Sequence, residues 1–104
     1  MKLSATILAA VAAASLAATP VLARPKITLY SAPNYQGHAV DIDRPVRDLS
    51  RYGFNDRAQS ARVRGRWLVC AADDFGGKCV TLNYDSPRLK DFDMNRRASS
   101  LRPD

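Results

Sequence analysis

The sequence predicts an all-β domain of two packed antiparallel sheets, built from a duplicated unit and preceded by a cleavable leader. Three observations predict it. A 40-residue stretch repeats without a gap, short segments alternate apolar with polar residues, and Gly, Asn, Asp and Pro crowd the breaks between them.

Residues 1–23 are expected to be a signal peptide. Lys2 is their only charge, Ala5 to Ala18 is an apolar run, and Val21-Leu22-Ala23 supplies the small or apolar residues of a cleavage site. The run is shorter than the about 20 residues that span a bilayer. A periplasmic or secreted location is the expectation. Residues 24–104 then form one domain. Without Lys2 the formal charge of +6 becomes +5. A unit of this size buries a modest share of its surface, so a covalent staple helps. Cys70 and Cys79 are the two cysteines, and in an oxidising compartment they are expected to bond.

The repeat sets the element order. Ile27 to Gly37 aligns with Trp67 to Gly77, so that Tyr35 meets Phe75 and Gly37 meets Gly77. Val40, Ile42, Leu49, Tyr52, Asn55, Ser60 and Arg62 meet Val80, Leu82, Leu89, Phe92, Asn95, Ser100 and Arg102. Motif 1 covers about 26–65 and motif 2 about 66–104. Ile27 and Leu29, Val40 and Ile42, Trp67 and Val69, and Val80 and Leu82 each share a parity, as half-buried strands require. Cys70 and Cys79 are out of phase with their apolar neighbours. Both sulfurs are therefore expected on the non-core face of one hairpin, within cross-strand reach. The stretches 47–54 and 87–94 read as turns or helical turns, anchored by Leu49, Tyr52 and Phe54 and by Leu89, Phe92 and Met94. Two 40-residue units cannot close a propeller ring, which leaves the sandwich.

These residues resemble the βγ-crystallin family. Tyr30, six residues and then Gly37 is similar to its folded hairpin, in which an aromatic ring covers a chain that turns on a glycine. Ser60 is similar to the serine that pins that hairpin. In motif 2 Gly77 and Ser100 match, but Cys70 stands where the aromatic belongs, leaving Phe75 and a Cys70–Cys79 bond to serve instead. The resemblance covers nearly all of 26–103. It implies two Greek-key motifs forming one β-sandwich.

It also implies calcium. Many microbial members of the family bind the ion at N/D-N/D-x-x-S/T-S, through the third residue's carbonyl and the fifth residue's hydroxyl, with help from the partner motif. Oxygen ligands suit this hard cation. Here the stretches are Asn55-Asp56-Arg57-Ala58-Gln59-Ser60 and Asn95-Arg96-Arg97-Ala98-Ser99-Ser100. Gln59 replaces a hydroxyl residue in the first, and Arg96 replaces an acid or amide in the second. With ligands shared across motifs, Asp56 and Ser99 serve one surviving weak site, with the carbonyl of Arg57 or Arg97. Gln59 and Arg96 spoil the other.

The sequence shows no enzyme constellation. His38 has no partner for zinc. There is no G-x-S-x-G elbow and no phosphate-binding glycine motif. The acid pairs Asp73-Asp74 and Asp91/Asp93 fall in turns of a domain with no room for a cleft. Arginines gather in motif 1 and its link to motif 2: Arg44, Arg47, Arg51, Arg57, Arg62, Arg64 and Arg66. They suit an anionic envelope surface, with Asp41, Asp43, Asp48 and Asp56 as local compensation. The expected role is an exported, monomeric, non-enzymatic structural or binding module with weak or vestigial calcium binding. The alternatives are a secreted proteinase inhibitor presenting Ala71 to Lys78, and a basic envelope-binding protein. No nucleic-acid partner is expected.

Overall fold

Alternating residues fold as their parity demands. A computed structural model describes residues 24–104, so the predicted signal peptide lies outside the described residues. Six strands follow in order: β1 (Lys26–Ala32), β2 (Gln36–Ile42), β3 (Ser60–Arg64), β4 (Trp67–Ala72), β5 (Gly76–Leu82) and β6 (Ser100–Pro103). One sheet has the order β2-β1-β3 and the other β5-β4-β6, all antiparallel.

The segment after each hairpin leaves its own sheet. Val46 pairs with Leu101 of β6, and Ser86 pairs with Ala61 of β3. Each pair exchanges two backbone hydrogen bonds of 2.8–3.0 Å. The chain then makes a 3-10 turn, at Leu49–Tyr52 or Leu89–Phe92, and returns beside the first strand of its own motif. That path is a Greek key, with each motif lending a fourth short strand to its partner's sheet.

The core lies between the sheets. Ile27, Leu29, Ile42, Trp67, Val69, Leu82 and Leu101 are sealed from solvent, and the turns contribute Leu49, Phe54, Leu89 and Met94. Each large apolar side chain so buried is worth about 1.5–3 kcal/mol. Trp67 donates its indole N–H to the Arg64 carbonyl at 3.3 Å, so its burial leaves no orphan donor. Tyr52 departs from its expected role as an anchor. It is 41% exposed, whereas its counterpart Phe92, at the same place in the second 3-10 turn, is partly buried against the core with Tyr84 beside it.

The repeat extends to the backbone. Left-handed residues occur in pairs 40 apart: Asn34 and Asp74, Tyr35 and Phe75, Gly37 and Gly77, Gly53 and Asp93, Asp56 and Arg96. At Gly37 a Cβ would collide with Ser31 Oγ, and at Gly77 it would come within 3.2 Å of the Ala72 Cβ. Only glycine meets both the angle and the space there.

Two buried hydroxyls hold the folded hairpins. Ser60 Oγ accepts from the Tyr35 N–H at 2.9 Å and donates to the Ala32 carbonyl at 2.7 Å. Ser100 Oγ accepts from the Phe75 N–H at 2.9 Å and donates to the Ala72 carbonyl at 2.6 Å. In motif 1 Tyr30 meets Tyr35 edge-on at 5.8 Å between ring centroids. In motif 2 Cys70 takes the place of Tyr30, faces Cys79 across the strand pair and is bonded to it. The Cys79 sulfur rests 3.7 Å from the Phe75 and Gly77 carbonyl oxygens, over the turn that Tyr30 covers in motif 1. Cys70 stands outside the core cluster yet is fully buried, because the hairpin folds back across it.

Three outcomes follow. Ser60→Ala or Ser100→Ala strands a buried N–H and carbonyl and should lower stability by about 1–3 kcal/mol in urea unfolding. Cys70→Ser with Cys79→Ser removes the closure of a ten-residue loop and should cost about 2.5 kcal/mol in the same assay, with reductant having no further effect. Acid should also weaken the fold. The Thr28 hydroxyl, then Lys26, pulls the Asp41 carboxyl below its ordinary 3.8. The Ser50 hydroxyl and N–H do so for Asp48, and Lys78 followed by Arg97 does so for Asp93. A carboxyl held low in the folded state contributes its full stability above the unfolded value and loses it as pH falls through the folded one. Thermal melts should therefore be flat from pH 7 to about 5 and fall below about 4.

Candidate functional site: two cross-motif loop pairs

The stretches 55–60 and 95–100 each leave a 3-10 turn, pass through one left-handed residue and enter the closing strand. The strand exchange brings them together at the pseudo-twofold axis. Asp56 N–H donates to the Ala98 carbonyl at 3.1 Å, and Arg96 N–H to the Ala58 carbonyl at 2.9 Å. Leu49 N–H donates to the Ser99 carbonyl and Leu89 N–H to the Gln59 carbonyl, both at 2.8 Å. Each loop therefore faces the other motif, and two half-related clusters result.

The first cluster gathers oxygen. Ser99 Oγ lies 3.4 Å from Asp56 Oδ1 and 3.5 Å from the Arg97 carbonyl, and Ser99 is nearly buried. The Arg97 guanidinium is turned away, to the Asp93 carboxylate at 3.1 Å and the Asp93 carbonyl at 3.2 Å. The Ser99 hydroxyl thus stands between a carboxylate oxygen and a carbonyl oxygen, and the Arg97 guanidinium is engaged with Asp93. This donor set fits a hard divalent ion, with waters completing the shell.

The second cluster has the opposite character. Gln59 turns its amide nitrogen to the Ser31 carbonyl at 2.7 Å, which occupies an oxygen with a proton donor. Arg57 and Arg96 line the same shallow depression as Ser31 and Gln59. The Arg57 guanidinium donates to the Gly53 carbonyl at 2.9 Å and lies 5.4 Å from the Phe54 ring centre. Two guanidiniums repel a divalent ion, and the Gln59 nitrogen, committed to Ser31, holds the side chain in place of the hydroxyl that the resemblance calls for. A cation does not fit here.

Asp56, Arg97 and Ser99 are thus brought together, and Gln59 is set apart from them with Arg57. Sequence reasoning missed Ser31. Its counterpart 40 residues on is Ala71, and nothing in either side chain marks the carbonyl that Gln59 finds. Among the described residues no group of three or more His, Cys, Asp or Glu side chains could hold a metal, so any ion site must draw on hydroxyl and backbone oxygen. His38 is exposed on β2, where its N–H donates to Ser31 Oγ at 2.8 Å.

The expected compensation of the arginines is partly local and partly cross-motif. Asp43 does pair with Arg44, at 2.9 Å, but Asp41 pairs with Lys26 at 3.4 Å. Arg47 and Arg62 reach Asp74 and Asp85 of motif 2, at 3.3 and 3.4 Å. Asp48 caps its own turn by accepting from Ser50 N–H and Oγ. All of these pairs are exposed, where each is worth about 0–1 kcal/mol.

Comparison with known proteins agrees with the fold. A family model described as Beta/Gamma crystallin matches residues 26–103. The human protein "Beta/gamma crystallin domain-containing protein 2" is 36% identical over 55 residues, which is 52% of this chain and 3% of that protein's length. A βγ-crystallin from Ciona intestinalis superposes with a TM-score of 0.72 at 27% identity, covering 76% of this chain and 99% of that one. A βγ-crystallin domain from Flavobacterium johnsoniae gives 0.66 at 28% identity, covering 73% and 90%. The chain belongs to the β/γ-crystallin family.

Proposed function

We propose that this chain is an exported, non-enzymatic structural and binding module with one weak calcium site, formed by Asp56, Ser99 and the Arg97 carbonyl. The convergence of three oxygens from two motifs at 3.4–3.5 Å carries the reading. A bound ion would supply positive charge between Asp56 of motif 1 and Ser99 of motif 2, tying the motifs where they exchange strands. The site has few protein ligands and the whole chain is positive, so affinity in the millimolar range is the expectation. The second cluster takes no ion. The cystine on β4 and β5 supports a periplasmic or secreted location, since such bonds persist in oxidising compartments. Basic residues exposed on motif 1 support contact with an anionic envelope surface.

The inhibitor alternative draws less support. Residues 71–78 are not an extended, protruding loop. Asp74 and Phe75 are left-handed, Ser100 holds the Phe75 N–H, and the cystine lies across the turn.

Calorimetry with calcium should give one event of about millimolar affinity, and about 10 mM calcium should raise the melting temperature by roughly 5–10 °C. Asp56→Ala should abolish both. Gln59→Ser with Arg96→Asp should add a second event. Two micromolar events in the unaltered protein, or an unchanged response in Asp56→Ala, would overturn the assignment.

A further inference from the structure

Motif 1 carries a groove that motif 2 does not reproduce. Its deeper part, about 750 Å³, runs between the start of β1, the end of β2 and Tyr52. A second depression of about 280 Å³ continues from Tyr52 along the exchanged segment to Phe75. Lys26, Arg44 and Arg64 line the first part, with Asp41 and Asp43 as its carboxylates. Arg47 and Arg51 line the second; Arg47 pairs with Asp74 at 3.3 Å, as Lys26 and Arg44 pair with Asp41 and Asp43, and these exposed pairs leave cations in excess of carboxylates along the groove. Arg102 stands just beyond, 4.8 Å from the Phe75 ring centre.

The duplication supplies an internal control. Forty residues on, Arg44 becomes Tyr84, Arg47 becomes Pro87 and Arg51 becomes Asp91. Tyr84 stands beside Phe92, the counterpart of Tyr52, at 6.4 Å between centroids, so that an exposed aromatic ring replaces the guanidinium there. Arg66, the counterpart of Lys26, pairs with Asp104, the counterpart of Arg64, at 3.4 Å. The same backbone therefore stands without basic residues at the positions of Arg44, Arg47 and Arg51. Nothing in the fold requires the open, basic face.

We infer that this groove binds a linear acidic polysaccharide, its arginines engaging carboxylate or sulfate groups and Tyr52 packing against a sugar ring. Planar guanidiniums suit such groups through bidentate hydrogen bonds. A single strand of nucleic acid fits less well. Bases need free aromatic faces in succession. Phe75 already carries two guanidiniums, Arg47 at 5.4 Å and Arg102 at 4.8 Å, which leaves Tyr52 as the open ring in the groove. A lipid surface would favour a flat or convex patch over a bent groove with an aromatic at its corner. The inference rests on the reading of the chain as a binding module and not on its calcium site.

The test is titration of the purified protein in EDTA with polygalacturonate, dextran sulfate, neutral dextran, a single-stranded oligonucleotide and phosphatidylglycerol vesicles. Polygalacturonate or dextran sulfate should bind at about 50 mM salt and weaken at least about tenfold by about 0.3 M, while neutral dextran should not bind. Arg44→Tyr with Arg51→Asp, residues that motif 2 already accommodates, should weaken binding at least about tenfold, and each single substitution should do so in part. Arg88→Ser with Lys90→Asp makes the same change of net charge on motif 2 and should alter binding by less than about threefold. Equal losses in the two double variants, tighter binding of the oligonucleotide or the vesicles, or no polysaccharide binding would overturn the inference. Because EDTA silences the cation site, a failed calcium titration and a failed polysaccharide titration are separate results.

Discussion

The exchange of short segments between motifs is the constraint on which the molecule depends. Val46 seals the edge of β6 and Ser86 seals the edge of β3. A three-stranded sheet of 40 residues has one small apolar face and open edges, and such a unit is marginal alone. Lending a strand each way covers an edge in both sheets and forces the two apolar faces together. It also fixes what the loops see. Once Val46 lies beside Leu101, the turn that follows delivers Asp56 to Ala98 and Ser99, and Arg96 to Ala58.

That arrangement explains why single-residue differences between the motifs have unequal effects. A loop facing its own motif would lose or keep an ion site as a unit. Facing the partner, each cluster mixes residues from both copies. Asp56 and Ser99, the two positions that keep oxygen, meet in one cluster. Arg57, Gln59 and Arg96, which bring proton donors and positive charge, meet in the other. Two defective loops thereby yield one intact oxygen set and one closed set.

The hairpins show how one mechanical task admits two chemistries. Each must keep two successive left-handed residues, a conformation that costs about 1 kcal/mol or more per non-glycine residue. The serine hydroxyl meets that need identically in both motifs. The cover over the turn differs: two tyrosines meeting edge-on in motif 1, a cystine in motif 2. The aromatic needs no particular redox environment. The cystine needs an oxidising one, so motif 2 links the stability of the fold to the compartment.

The sequence by itself determined the duplication, the strand parities and the turn positions, because these follow from local periodicity and from a repeat with no gap; the serine pins were legible through the family resemblance, and the cystine through the parity and isolation of its two residues. It also named Asp56, Gln59, Arg96 and Ser99 as the departures from symmetry. Only the tertiary structure decided which of them meet, since strand exchange is a long-range event with no local signature. It decided that Gln59 spends its amide on Ser31, a backbone partner that no side-chain pattern reveals. It left Tyr52 exposed where its counterpart Phe92 packs against the core with Tyr84 beside it, a difference made by neighbours distant in sequence and not by the turn that both share. It also sorted the arginines. Arg44 keeps its neighbour Asp43, while Arg47 and Arg62 reach Asp74 and Asp85 across the motif boundary, partners that no local spacing reveals.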